Sequence, residues 1–539
     1  MALINKEFFR TATAIAGLAL GVGLVSPAAA ASPDGVALIR ERCLSCHTEQ
    51  AGAEAKFSRI SGQRKSPEGW QMTLNRMQHH RGLQLSADEK RVLIKHLADR
   101  QGLAPEEAAP WRYLLEQDVN RVESLDPAYT QMCARCHSGA RFALQRRSEE
   151  EWRLLIHFHM GQHPTLELHA MSRDRPWMQL ALNETAPQLA KDFPLVSEAW
   201  QNWQKAAKPD LGGSWRVIGY VPGKGEFDAR MKATPAAADH FAVTLDGRYL
   251  DGSPMRGEGT ATVYTGYEWR AALTVDGVRM RQVLAASADG QSMAGRQFGR
   301  DARSVGGELR AVRESDTANV IAVLPAHLRS GARETLTVIG NRLDGELSLG
   351  EGVRIVEVVS RSPERIVVLA EAAGAPGLRD VKVGAAAGPG LLAVYDRIAR
   401  IEVSPADALA RIGGAEGDPA AQMDKVPVVF RAVGYAAGPD GKPGTEDDLR
   451  LGHVPVQWAI EPASEAAEKE KDHLFAGAID AHGVFTPGDA APNPKRHMSA
   501  NNVGMLKVVA TADDGAGAAV RADANLLVAV PDFVRRVLD

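Results

Sequence analysis

The chain has 539 residues, more than one hydrophobic core usually serves, so roughly three or four domains are expected. Hydrophobic residues make up 45% and charged residues 24%, and the formal net charge is only -4, which fits a soluble globular protein. Such a balance advertises no strongly one-signed surface and argues against nucleic-acid and membrane partners.

In chain order, residues 1–31 read as a secretory signal. Lys6 and Arg10 lie in front of an apolar stretch from Ala14 to Val25, followed by Pro27 and the small-residue run Ala28 to Ala31. Cleavage is expected near Ala30 or Ala31, and the apolar run is short for a bilayer span. The mature protein is therefore expected to be soluble and periplasmic.

Residues 32–208 read as an all-α domain carrying two c-type haems. Cys43-Leu44-Ser45-Cys46-His47 and Cys133-Ala134-Arg135-Cys136-His137 are both C-x-x-C-H motifs, and they use every cysteine in the chain. Two sulfurs separated by two residues on a helical turn can both bond one porphyrin edge, and the following imidazole then reaches the iron. His47 and His137 are the expected proximal ligands. A zinc site would have to join two knuckles across about ninety residues while ignoring both histidines. Thioredoxin-like chemistry would need a βαβ context that the sequence lacks, and export alone would suggest disulfides.

An internal repeat points to the sixth ligands. Ser66-Pro67-Glu68-Gly69-Trp70 is followed by Gln71 to Met77, and Ser148-Glu149-Glu150-Glu151-Trp152 by Arg153 to His159. Each segment opens on a serine N-cap, with Pro67 at the first helical position in one and Glu151 completing a capping box in the other. Aligning the serines and tryptophans sets Met77 against His159, so one haem is expected to be His47/Met77 and the other His137/His159. Core packing is the plain alternative for Met77, with Met72 the next ligand candidate. His157, Met160, His163 and His169 compete with His159. Trp70 and Trp152 are expected to pack near the haems.

Leu85-Ser86-Ala87-Asp88-Glu89 holds another capping box, opening an amphipathic helix to about Asp99. His80 and His96 read as surface residues. Pro105 and Pro110 break the chain before the second unit, whose helices run through the Trp177 and Trp200 regions to about Lys208.

Beyond residue 211 the helical period gives way to short alternating runs between glycine-rich turns: Trp215 to Tyr220, Phe241 to Leu245, Gly259 to Tyr264 and Glu268 to Val275. Residues 211–313 thus read as an antiparallel barrel or sandwich. Residues 318–396 begin on Val320 to Pro325 and include strands at Thr335 to Ile339 and Arg365 to Leu369. Residues 397–539 begin on Ile398 to Pro405, and strand spacing suits immunoglobulin-like sandwiches for both.

The loop Gly438 to Asp448 clusters carboxylates, including Asp440, Asp447 and Asp448. Its spacing does not match an EF-hand, so a solvated hairpin tip is favoured over calcium. His240, His327, His453 and His497 are isolated and read as structural or exposed. No G-x-S-x-G, H-E-x-x-H or phosphate loop occurs in the β half, so no catalytic residue is assigned.

Two closely spaced C-x-x-C-H units followed by three β domains resemble the α subunit of quinohemoprotein amine dehydrogenase. The likeness extends over the mature chain and includes Gly213-Ser214-Trp215-Arg216-Val217-Ile218-Gly219-Tyr220 and Ile401-Glu402-Val403-Ser404-Pro405. It implies a heterotrimer of this dihaem chain, a β-propeller and a small subunit bearing cysteine tryptophylquinone, where primary amines are oxidatively deaminated. Electrons would leave through the haems to a cupredoxin or small cytochrome c. With all four cysteines assigned to haem, this chain cannot itself form the quinone. The competing readings are a dihaem peroxidase-type enzyme with an open iron, or a stand-alone dihaem carrier.

Overall fold

Helix Pro67–Arg81 starts where the Ser66 side chain accepts a hydrogen bond from Gly69 N, and it stops at Gly82, whose left-handed φ of 72° lets its N–H reach Met77 O. This N-terminal region belongs to a computed structural model that describes residues 34–52, 54–414, 423–438 and 440–531. The expected signal segment lies outside the described residues, and among the described residues no helix is long and apolar enough to cross a membrane.

The first helical unit joins Gly35–Cys43, Pro67–Arg81 and Ala87–Arg100 around Leu38, Ile39, Trp70, Leu74, Leu93 and Leu97. The capping box at Ser86 and Glu89 is complete, with Ser86 N donating to Glu89 Oε2 at 2.7 Å. In the second unit Glu149–Gln162 packs with the helical run 177–192 around Tyr129, Phe142, Trp152, Ile156 and Trp177. Here the capping box is one-sided. Ser148 caps Glu151 N, but the Glu151 carboxylate turns away to accept from Arg59 Nε at 2.7 Å, a partner in the other unit. An ion pair across the seam outcompetes the local backbone contact.

The region is not purely helical. Glu49–Gln50 pairs with Lys56–Phe57, and Gln63–Lys65 pairs antiparallel with Gln145–Arg147, setting Arg64 opposite Arg146. This second ladder ties the two units together immediately before each serine N-cap. Three-residue strands are too short to show a period of two, so only the repeat Gln-Arg-Lys-Ser and Gln-Arg-Arg-Ser at 63–66 and 145–148 hints at them.

Eight consecutive antiparallel strands, from Gly213–Val221 to Gly306–Arg313, close into a barrel as the last pairs with the first. Closure decides between the two expected architectures and removes the sheet edges. In His240–Tyr249 the inward Phe241, Val243 and Leu245 alternate with exposed neighbours. Trp215, Phe227, Met231, Tyr249 and Trp269 fill the interior. The helical region closes one side of it. Trp203 Nε1 donates to Thr265 O at 2.9 Å, Tyr267 OH to Leu103 O at 3.2 Å, and Arg270 pairs with Glu68 at 2.6 Å.

Next come two four-stranded sheets. One orders Asn319–Leu324, Arg333–Asn341, Arg365–Ala372 and Val353–Arg361; the other orders His327–Arg329, Ala386–Tyr395, Gly377–Val383 and Leu347–Ser348. Val323, Leu336, Val338, Ile366, Val381 and Leu392 meet between them. The last domain has sheets of three, four and three strands around Phe430, Phe485, Val508 and Leu526. Two short helices, Glu465–Lys469 and Asp472–Phe475, interrupt it, and buried Asp472 pairs with Arg496 at 2.5 Å. His327 donates from Nδ1 to Leu451 O at 2.9 Å, linking the two C-terminal domains.

Candidate haem sites

Helix Gly35–Cys43 delivers the first cysteine at its last residue, and the chain then folds back on itself. Cys46 N and His47 N both donate to Cys43 O, at 3.1 and 3.0 Å, which holds Cys43, Cys46 and His47 on one tight turn. His47 Nδ1 donates to Ser58 O at 2.7 Å, so Nε2 is the ring nitrogen available for iron. Cys133 lies in the π-turn Thr130–Ala134, and Cys136 N donates to Cys133 O at 3.3 Å. His137 Nδ1 donates to Ser138 O at 2.9 Å, so the same ring nitrogen is committed to a backbone carbonyl as in His47. The Glu123 carboxylate braces this turn by accepting from Gly139 N at 2.7 Å and from the hydroxyls of Tyr113 and Ser138.

The four cysteines form no disulfide. Burial pushes the Cys43 thiol above its ordinary range and raises Cys133 to about 12. Among the described residues no three Cys, His, Asp or Glu side chains gather closely enough to hold a metal ion.

Of the five sixth-ligand candidates on the second unit, His159 stands apart. His157, His163 and His169 are exposed, and Met160 packs against the apolar cluster. The His159 ring donates from Nδ1 to Leu155 O at 2.8 Å and lies 6.1 Å from the Trp177 ring. Burial, with smaller contributions from His137, Arg76 and His163, lowers its imidazole to about 4. The ring is thus held neutral, the state in which an imidazole ligates metal.

On the first unit Met72 Sδ accepts from Arg76 Nη2 at 3.1 Å, whereas half-buried Met77 lies outside the apolar cluster formed by Trp70 and Leu74. Trp70 and Trp152 are both 1% exposed and occupy equivalent places in the two cores. His80 is exposed as expected, but His96 is not a surface residue. Its ring packs where a Cβ on Gly35 would stand 2.3 Å from Cγ, and burial pulls its imidazole below the usual value. A helix-face histidine opposite a glycine fills the space that the missing side chain leaves.

Sequence reasoning missed the charged residues between the units. Arg64 reaches Glu107 through both Nη atoms at 2.8 Å, Arg146 Nε reaches the same carboxylate at 3.0 Å, and Ser197 Oγ adds a bond at 2.8 Å. On the alternate ladder positions Lys65 lies 5.2 Å over the Trp70 ring and Arg147 lies 5.5 Å over the Trp152 ring.

The acidic loop is a braced hairpin tip. Asp447 Oδ2 accepts from Asp440 N at 3.1 Å, and Asp448 Oδ2 accepts from Gly444 N at 2.9 Å and Arg400 Nε at 2.7 Å. Those oxygens are committed to the backbone and to an arginine. His240 and His497 are exposed, while His453 lies against Tyr220 with ring centroids 5.4 Å apart.

Comparison with known proteins identifies four successive stretches. Residues 33–200 match the family described as quinohemoprotein amine dehydrogenase A, alpha subunit, haem binding. Residues 208–314, 317–396 and 401–538 match quinohemoprotein amine dehydrogenase alpha subunit domains II, III and IV. No curated protein matches. Among solved structures, a redesigned β-barrel, mFAP1, bound to DFHBI is 21% identical with a TM-score of 0.16, covering 19% of this chain and 91% of that one. A mouse clustered protocadherin, PcdhgC3 EC1-3, is 12% identical with a TM-score of 0.17, covering 46% and 86% respectively.

Proposed function

The chain belongs to the family of quinohemoprotein amine dehydrogenase α subunits, and from that premise we propose that it is the periplasmic electron-transfer subunit of such an enzyme, holding two covalent haems. It has a haem-binding domain and is the haem subunit of an amine dehydrogenase. Cys43, Cys46, His47 and Met77 would hold one haem, and Cys133, Cys136, His137 and His159 the other. Bound haem supplies a one-electron carrier whose ferric and ferrous forms differ by one charge.

The observation that carries this reading is the shared presentation of three histidines. His47, His137 and His159 each commit Nδ1 to a backbone carbonyl, at 2.7, 2.9 and 2.8 Å, which fixes both ring orientation and tautomer. Two of the three follow a pair of unbridged cysteines on one turn. Half-buried His159, whose Nδ1 is committed to Leu155 O at 2.8 Å, supports a second axial imidazole over the open iron that a peroxidase-type site requires.

Substrate chemistry belongs to a partner. The electron source would be a cysteine tryptophylquinone in a small subunit, reduced by a primary amine, and the acceptor an external cupredoxin or small cytochrome c. The barrel and the two sandwiches, read as immunoglobulin-like, would hold that subunit and a β-propeller in a heterotrimer. Residues 1–31 would direct export.

Denaturing gels of the mature chain should keep haem stain on the polypeptide, and its mass should exceed the apoprotein by two haems. Four free thiols or two disulfides in the purified chain would overturn the reading.

A further inference from the structure

The two proximal histidines commit the same nitrogen to a backbone carbonyl, but the two carbonyls are not equivalent. Ser58 O, which takes the His47 Nδ1–H at 2.7 Å, also accepts from Ile60 N at 2.8 Å, and Ser58 Oγ accepts from Thr48 N at 2.9 Å. These partners are neutral. Ser138 O takes the His137 Nδ1–H at 2.9 Å, and the other end of that same peptide group, Gly139 N, donates to Glu123 Oε2 at 2.7 Å. Carboxylate, peptide and imidazole thus form a chain of two hydrogen bonds through one amide.

Several contacts hold the carboxylate on that amide. Glu123 Oε1 accepts from Ala140 N at 3.3 Å and from the hydroxyls of Ser138 and Tyr113. Tyr113 in turn packs against Leu103, Ala140, Leu144 and the barrel residues Val283 and Phe298. Gly139 is buried, and a Cβ there would stand 2.5 Å from Leu125 Cδ1 and 3.3 Å from Glu123 Oε2, so the absence of a side chain lets segment 123–125 lie on the peptide. Burial pushes the Glu123 carboxyl up, but the hydrogen bonds from Ser138, Tyr113, Gly139 and Ala140 outweigh it and hold the carboxyl below its ordinary value. The group is therefore an anion at neutral pH.

We propose that Glu123 is a positioning residue for the haem attached at Cys133 and Cys136: through the Ser138–Gly139 peptide it strengthens the hydrogen bond from His137 Nδ1 and lowers the midpoint of that haem alone. This rests on the two-haem reading above. Hydrogen bonds in a chain polarise one another, and an anion on the amide N–H raises electron density on the carbonyl oxygen of the same group. A carbonyl that pulls harder on Nδ1–H makes the imidazole a stronger donor, which favours ferric over ferrous iron. The carboxylate charge itself acts in the same direction. At His47 the neutral partners supply no such bias.

The test uses the holo-chain in its complex, with covalent haem stain and mass scored first, so that a failure of the two-haem reading is told apart from a failure of the relay. Glu123→Gln and Tyr113→Phe are compared with wild type by spectroelectrochemical titration and by the EPR signals of the ferric haems. Glu123→Gln keeps an acceptor for Gly139 N but removes the charge. One midpoint should then rise by a tenfold shift toward ferrous, about 59 mV for one electron, and the largest g value of one EPR signal should move while the other haem stays as it was. Tyr113→Phe takes a competing donor off the carboxylate and leaves the ring in its packing, so the same midpoint should fall. It carries the test if Glu123→Gln does not accumulate. Two haems retained with both midpoints and both EPR signals unchanged would overturn the proposal. So would equal rises in both haems, which an unspecific charge effect gives, or a rise in Tyr113→Phe, which a loosened turn gives.

Discussion

Arg64 and Arg146 stand directly opposite each other in a three-residue ladder and grip a single carboxylate, Glu107, at 2.8 and 3.0 Å. The side chains of all three are at most 7% exposed. The two motif-bearing units are therefore joined by a buried ion triad at their shared ladder.

Removing the shared anion should be costly. Glu107→Gln leaves two buried guanidinium groups without compensation, and breaking such a pair typically costs about 3–5 kcal/mol. The two arginines hold the Glu107 carboxyl down at about 2 against an ordinary 4.5. A depressed acid contributes stability that is fully present above 4.5 and lost as pH falls from 4.5 through about 2. Chemical denaturation followed by helical circular dichroism should show that acid-side loss in wild type and its absence in Glu107→Gln. An equal acid slope in both would remove Glu107 as its source.

The barrel contact has the opposite sign. Glu268 accepts from Thr265 Oγ1 at 3.1 Å and pairs with Arg270 at 3.1 Å, while Arg270 also holds Glu68 at 2.6 Å. Burial, reinforced by the Glu68 charge, pushes the Glu268 carboxyl up to about 7. The folded state then keeps a proton that the unfolded chain releases near 4.5, so stability is highest below 4.5 and declines as pH rises toward 7. Glu268→Gln should flatten that decline and raise the melting temperature at neutral pH. Thermal melts at pH 5 and pH 7 check it, and a steeper decline in the variant would refute the assignment.

How much of this was legible in the sequence depends on range. Ser66, Pro67 and Ser86 announce their helices because a cap acts over three or four residues. Four of the barrel strands are readable because inward residues alternate, as Phe241, Val243 and Leu245 do. Glu151 looked like a local cap and is instead held by Arg59, 92 residues away in sequence. Glu107 carries no motif at all, since its partners lie 43 and 39 residues distant and meet only when the ladder forms. Buried charges escape a pattern search because their partners are set by tertiary folding. The histidine candidates were separated by burial, which spacing along one helix could not supply.

The unequal sixth ligands carry the last prediction. Methionine thioether stabilises ferrous iron relative to a second imidazole, so a His47/Met77 haem should lie higher in potential than a His137/His159 haem of comparable burial. Each 59 mV between one-electron couples is a tenfold bias, and a gap on the order of 100 mV would order the two centres clearly. Spectroelectrochemical titration of wild type beside Met77→His and His159→Met separates the contributions. Met77→His should abolish the methionine-to-iron charge-transfer band and lower one midpoint; His159→Met should raise the other. Met72, whose sulfur already accepts from Arg76 at 3.1 Å, should give no such change when replaced by leucine. If the band survives in Met77→His and disappears in Met72→Leu, the ligand is Met72, and the internal repeat that pairs Met77 with His159 does not extend to the iron.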